Sequence, residues 1–346
     1  MDIGQKIKSA RIMRGLSVRE LAERVGVSHT AISKYETGKN KPGTAVIIKL
    51  ARATNLRPSY FLRSPKAIAV MPRFRKRSKV GARKLAQIDE NFRDKLERFL
   101  EVEGMVGISS DHHHLPDGFP YKARTLKDAE DAAIRLRESW KLGVDAIESV
   151  AMALEDNGVH VIPIQTEEDF FGCAYATKLE DGKPVHAIAF NKNLPCDRAR
   201  FTLAHELGHI VLEPSDGLDE EALCNRFAAA FLAPKETVEK ELSFQSRSLS
   251  IAELKYLKLK YGMSMQAWLY RARDLGVISD ATLTREFRRF SALGWKKKEP
   301  VECNSREAPA RFEVLVKKLL EERAISISRA AELLGVPTSD LMVESG

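Results

Sequence analysis

The chain has 346 residues, 44% hydrophobic and 30% charged, enough apolar content for sizeable cores but with no run of about 18 apolar residues that would cross a membrane. Its net charge of +8 is uneven: residues 1–84 carry 21 Lys+Arg against four acids (Asp2, Glu20, Glu23, Glu36), whereas the other 262 residues carry 35 basic and 44 acidic side chains. The start, MDIGQKIKSARIMRGLS, lacks the apolar core of a secretory signal, and Cys173, Cys196, Cys224 and Cys303 show no C-x-x-C spacing, so a reducing cytoplasm with free thiols is expected rather than a disulfide frame.

A front end of net +17 on a body of net −9 suggests a polyanion-binding module joined to something else. Residues 1–62 read as five short helices. Ile3, Ile7 and Ala10 share one helical face, and Leu21, Ala22 and Val25 share another. Ser28 is a good N-cap before Ala31, Ile32 and Tyr35, residues 45–53 (AVIIKLARA) form a further helix, and Pro58 opens a last turn.

Two of these helices flank Gly26, which supplies a tight turn, and Ala22 is small enough for them to cross closely. The segment LSVRELAERVGVSHTAISKYETGKNKP resembles the helix-turn-helix of the XRE (Cro/phage-repressor-like) family, over about residues 3–62. The resemblance implies that residues 28–36 enter the major groove of double-stranded DNA, with Ser28, His29, Thr30, Ser33 and Lys34 toward bases or nearby phosphate. Lys39, Asn40 and Lys41 would follow against the backbone. Val18 stands where the family often has a phosphate-binding Gln. A homodimer on two half-sites is expected from the same resemblance.

Residues 63–84 hold nine Lys/Arg and no acid, which reads as an arm adding salt-sensitive, sequence-independent affinity. Its one aromatic, Phe74, gives little support for single-strand stacking. Leu85, Ile88, Phe92, Leu96 and Phe99 then recur at helical spacing, and 104–125 is loop-rich, with His112, His113 and His114 read as a polar loop. Helices follow at about 126–140 and 144–156, and strands at 159–162, 172–176 and 185–190. Further helices are expected at 196–212, 220–233, 251–261, 264–275, 280–292, 308–323 and 328–334. The last of these echoes a second helix-turn-helix without a convincing recognition helix and reads as a packing element.

Residues 205–209 read His-Glu-Leu-Gly-His. Imidazoles at i and i+4 share a helix face and can converge on one Zn²⁺, with Glu206 beside it to take a proton from metal-bound water. A third ligand is needed, and Glu220 or Glu221, opening the Ala-rich helix at 220–233, are the candidates. The run TLAHELGH followed by E-x-x-x-N-x-F-A-A-x-x-L-x-P resembles the ImmA/IrrE family of zinc metallo-endopeptidases. That resemblance selects Glu221, four before Asn225, as third ligand beside His205 and His209, with Glu206 as the catalytic base. Cys224, where the family often has Ala, reads as a small buried residue. The strand His186–Asn191 resembles the family's substrate-aligning edge strand. Tyr175 is a candidate for oxyanion donor.

The expected architecture is mainly α with a small β-sheet (α+β), in four parts. These are an XRE-type helix-turn-helix domain at 1–62, a basic arm and linker with a helix at 63–125, a zincin-like metallopeptidase domain at 126–245 and a helical C-terminal region at 246–346. The resemblance implies a cytoplasmic, zinc-dependent, DNA-binding regulator that cleaves a protein substrate, a repressor or regulator, with no membrane partner. Two other readings compete. One is a non-proteolytic transcription factor or antitoxin-like regulator whose zinc domain senses a signal or binds a partner. The other is self-cleavage that frees residues 1–84.

Overall fold

A computed structural model of the chain describes residues 2–62, 71–72, 80–108, 115–167, 169–179, 182–242, 249–303 and 307–343. Most of the basic arm and the His112–His114 tract therefore lie outside the described residues. The architecture is α+β, as expected.

The front module is α1 (Ile3–Met13), α2 (Val18–Val25), α3 (His29–Glu36), α4 (Thr44–Thr54) and α5 (Pro58–Leu62). Ser17 and Glu20 form a reciprocal capping box that starts α2, and Gly26 ends it in the left-handed region at φ 72°. Ser28 then caps α3, its Oγ accepting from the Ala31 amide at 3.1 Å. Ile7, Ala10, Leu21, Ala22, Val25, Ile32 and Leu50 close one small core. Arg11 locks α1 to α3 through both Glu36 carboxylate oxygens, at 2.6 and 3.0 Å.

Among the described residues a long helix, α6 (Ala82–Val106), lies between this module and the body. Toward the front, Lys6 Nζ donates to Glu97 Oε2 at 2.8 Å with both side chains almost fully buried. Toward the body, Ile88, Phe92, Leu96 and Phe99 pack on one face of a four-stranded sheet. The strands are β1 (Met71–Pro72), β3 (Val159–Ile164), β4 (Gly172–Lys178) and β5 (Pro184–Asn191), in the order β1-β4-β5-β3. β3 and β5 run parallel, and β4 is antiparallel to β5. A separate parallel pair joins β2 (Tyr121–Ala123) to β6 (Leu212–Pro214).

The period-two alternation of strands sorts side chains between two cores. Cys173, Tyr175, Ala187 and Ala189 face α6, together with α15 (Arg311–Glu321), α16 (Ile327–Leu334) and Leu341 of α17 (Thr338–Val343). Ala174, Ile188 and Phe190 face the second core, with α7 (Leu126–Ser139), α8 (Val150–Asp156), α9 (Cys196–Val211) and α10 (Glu220–Leu232). α11 (Lys235–Glu241), α12 (Ile251–Tyr261), α13 (Met265–Asp274) and α14 (Asp280–Ala292) complete that side. The last strong helix, α16, packs back on the front module: Arg57 donates to the Ser328 carbonyl at 2.7 Å and Ser59 to Glu332 at 2.7 Å. Among the described residues no helix is long and apolar enough to cross a membrane.

Two expectations are corrected here. Cys196 and Cys303 are joined, with Cα atoms 5.7 Å apart, whereas Cys173 and Cys224 are free and buried. Close to the pairing, Lys258 bridges Asp197 and Glu299, at 2.7 and 2.8 Å, which holds the chain after α14 against the start of α9, a tertiary contact that cysteine spacing does not signal. The strand His186–Asn191 belongs to β5, which has β4 on one side and β3 on the other and so is no sheet edge. Its uniformly buried side chains suit an interior strand.

Candidate metal centre

α9 carries His205 and His209 on the side that meets α10, and Glu206 beside them on the side that meets β4. The two helices touch closely because position 208 has no side chain. A Cβ built on Gly208 would lie 3.2 Å from the Cα, Cβ and Sγ of Cys224. Asp219 caps α10, its carboxylate accepting from the Glu221 amide at 3.1 Å, and that places Glu220 and Glu221 in the first turn facing the histidines.

Three donors converge. His205 Nε2 is 3.6 Å from Glu221 Oε2, and His209 Nε2 is 3.8 Å from Glu221 Oε1. Donors held tetrahedrally at zinc bond lengths are separated by about 3.4 Å. Two imidazole nitrogens and one carboxylate at these separations therefore fit Zn²⁺ with little movement. The opposite imidazole nitrogens are engaged elsewhere on α10: His205 Nδ1 lies 3.0 Å from Asn225 Oδ1, and His209 Nδ1 lies 2.8 Å from Glu220 Oε1. Cys224 Sγ approaches His209 Nδ1 at 3.4 Å, so His209, Glu220 and Cys224 form a second cluster of candidate donors. Burial pushes the Cys224 thiol well above its ordinary range, which keeps it protonated at neutral pH.

Burial lowers His205 to about 4, helped by the neighbouring His209, so its imidazole is neutral at pH 7. Glu206 is buried, and loss of hydration pushes its carboxyl up to about 7 against the opposing effects of His209 and the Ala174 amide. The start of β4 presses directly on this helix. A Cβ on Gly172 would meet Thr202 Cγ2 at 2.6 Å and Glu206 Cγ at 3.1 Å.

The site opens on a cleft of about 2000 Å³ whose walls include Phe171, Tyr270, Trp295 and Lys296–Lys298. Arg198 stacks on Phe171, with its guanidinium carbon 4.2 Å from the ring centroid. Nothing in the local sequence pattern signals this wall, which is assembled from three separate segments. Tyr175 does not serve the site as expected. Its ring stacks on Phe92 of α6 and its hydroxyl donates to Asp89 at 2.8 Å, so alternation along β4 turns it to the other face of the sheet.

The expected DNA contacts form a different kind of surface. Ser28, His29, Thr30, Ser33 and Lys34 are exposed on α3, and Lys39, Asn40 and Lys41 are exposed in the loop after it. Ser28 spends its hydroxyl on the helix cap. The Asn40 amide donates to the Lys34 carbonyl at 3.2 Å, folding that loop back against the end of α3.

Comparison with known proteins agrees with both modules. Residues 7–61 match the helix-turn-helix family, and residues 156–273 match the IrrE N-terminal-like domain. The chain is 38% identical over 85 residues to the radiation response metalloprotease IrrE of Deinococcus deserti, covering 20% of this chain and 30% of that protein. It is 31% identical over 62 residues to the HTH-type transcriptional regulator ImmR of Bacillus subtilis, covering 18% and 49%. It is 34% identical over 59 residues to an uncharacterised HTH-type transcriptional regulator of Sinorhizobium fredii, covering 17% and 41%. The matched segments span less than half the length of each of these relatives.

Proposed function

From the premise that one chain joins a helix-turn-helix domain to an IrrE N-terminal-like domain, we propose a cytoplasmic DNA-binding transcriptional regulator whose second module is a zinc-dependent endopeptidase. The observation that carries this reading is the turning of both Nε2 atoms, His205 and His209, onto Glu221 with Glu206 buried alongside. The parts proposed are DNA binding by residues 1–62, a basic arm and linker at 63–125, peptidase chemistry at 126–245 and a helical C-terminal region at 246–346. On DNA, His29, Thr30, Ser33 and Lys34 read or approach bases. Ser28 caps their helix, and Lys39, Asn40 and Lys41 meet phosphate.

His205, His209 and Glu221 would hold the zinc, which supplies a Lewis acid and an acidified water when bound. Glu206 takes the water proton and hands it to the leaving amine. A carboxyl pushed up to about 7 is matched to that double task near neutral pH. The substrate class is a repressor or regulator protein met on or near DNA, and two copies of the chain would occupy two half-sites.

Glu206→Gln is the decisive variant. It should retain zinc and operator DNA while cleavage of a co-expressed target protein stops. Unchanged cellular phenotypes with Glu206→Gln would sink the peptidase reading. They would favour a second one, in which the zinc module senses a signal and passes it to DNA. The near-fully buried Lys6–Glu97 pair and the exposed α5–α16 hydrogen bonds favour that alternative, because they are direct contacts between the front module and the body along which a signal could pass.

A further inference from the structure

One helix supplies more than the third ligand. α10 presents Glu220, Glu221 and Asn225, and each meets a histidine of α9. The pattern is the same twice. Each imidazole has Nδ1 on an oxygen acceptor and Nε2 on the Glu221 side. An acceptor at Nδ1 fixes the proton there, which leaves a lone pair at Nε2 and stops the ring from flipping. A ring free to rotate about its Cβ–Cγ bond would present Nδ1, Nε2 or a carbon to the ion with similar ease.

We infer that Glu220 and Asn225 are positioning residues, each locking the tautomer and ring orientation of one ligand histidine so that both Nε2 atoms address the same ion. The inference rests on the metal reading above. The two locks are unequal. Glu220 offers a carboxylate to His209 and Asn225 a neutral amide to His205, and a charged acceptor makes the stronger hydrogen bond. The Glu220 lock is also the contested one, since Cys224 Sγ lies 3.4 Å from the same His209 Nδ1. A rival arrangement follows from that proximity, in which the ion sits among His209, Glu220 and Cys224 and Glu220 is itself a ligand.

The test measures metal, not turnover. Zinc affinity is determined by chelator competition on the full chain and on Glu220→Ala, Glu220→Gln, Asn225→Ala and Asn225→Asp, with circular dichroism as the check on folding. Positioning residues of this kind are worth about 10- to 100-fold in affinity. Both alanine variants should fall in that range, Glu220→Ala the further. Glu220→Gln and Asn225→Asp keep an oxygen acceptor and should recover most of the loss. The Co²⁺-loaded chain should show four-coordinate visible absorption and no thiolate charge-transfer band. The inference is overturned if the unaltered chain binds zinc and the alanine variants bind it equally well, or if Gln and Asp rescue no better than Ala. A thiolate band that disappears in Cys224→Ser overturns it too, by making Glu220 a ligand. If the unaltered chain binds no zinc at all, the metal reading itself falls and takes the inference with it.

Discussion

The two candidate functional faces of this chain are built in opposite ways. The centre between α9 and α10 is closed: its donors are held by two packed helices, a missing side chain at Gly208 and hydrogen bonds that leave little freedom. The face of α3 is open, with Ser28, His29, Thr30, Ser33 and Lys34 exposed to solvent on a single helix whose core anchor is Ile32. A closed site derives its chemistry from tertiary contacts and is broken by anything that shifts a backbone. An open one derives recognition from side chains that the fold does not need. The faces should therefore fail separately, and each of the following measurements tests that independence.

The largest effect is expected from Gly208→Val. A side chain there meets the Cys224 backbone and must push α10 from α9, an overpacking cost of about 1–3 kcal/mol. Zinc affinity should drop by 100-fold or more while operator affinity of the folded variant holds. An equal loss of DNA binding would show that the faces are coupled. Replacing the basic residues of 63–79 by Gln comes next. It should weaken binding to all DNA sequences alike, with the salt slope shallower by about 0.9 for each phosphate no longer neutralised, and should leave zinc alone. A sequence-selective loss would assign base reading to the arm. Smaller again is His29→Ala or Lys34→Ala, expected to cost about 1–3 kcal/mol if the side chain meets a base edge, with urea midpoint and zinc affinity unchanged.

The smallest effect is a pH dependence far from both faces. Burial raises the Glu155 carboxyl, against the Arg311 and Ala310 amides that its Oε2 accepts at 3.1 and 2.9 Å. A carboxyl raised on folding contributes stability below its unfolded value of 4.5, and that contribution is lost as pH rises through the folded value. Glu155→Gln keeps an acceptor for the same amides and removes the ionisation. Its urea midpoint should exceed that of the parent at pH 8, with the gap closing toward pH 4. Operator affinity should not move. A gap that grows on acidification would refute the assignment.

Much of the molecule is legible in the sequence, for local reasons. His205 and His209 share a helix face by spacing alone, and Ser17, Gly26 and Ser28 mark the α2–α3 turn through caps that act within three or four residues. Helices α12 and α14 begin and end where periodicity puts them, at Ile251–Tyr261 and Asp280–Ala292. Elements of two or three residues, such as β2 and β6, carry no period to detect. The family resemblance makes His186–Asn191 an edge strand, yet β5 lies inside the sheet, because a strand's own residues do not tell which strands will flank it. Tyr175 points away from the candidate metal centre because the side of the sheet that a residue faces depends on which helix covers each side.

The sequence by itself determined that a basic helix-turn-helix precedes a helix with two metal-spaced histidines, because charge, caps and the i, i+4 repeat are properties of neighbouring residues. The tertiary structure alone decided the rest. It set Glu220 and Asn225 against the two Nδ1 atoms, brought Cys196 to Cys303 across 107 residues, and wedged α6 between the DNA-binding module and the body. These contacts depend on how whole elements pack. Their residues are far apart along the chain, and no local spacing encodes which helix meets which.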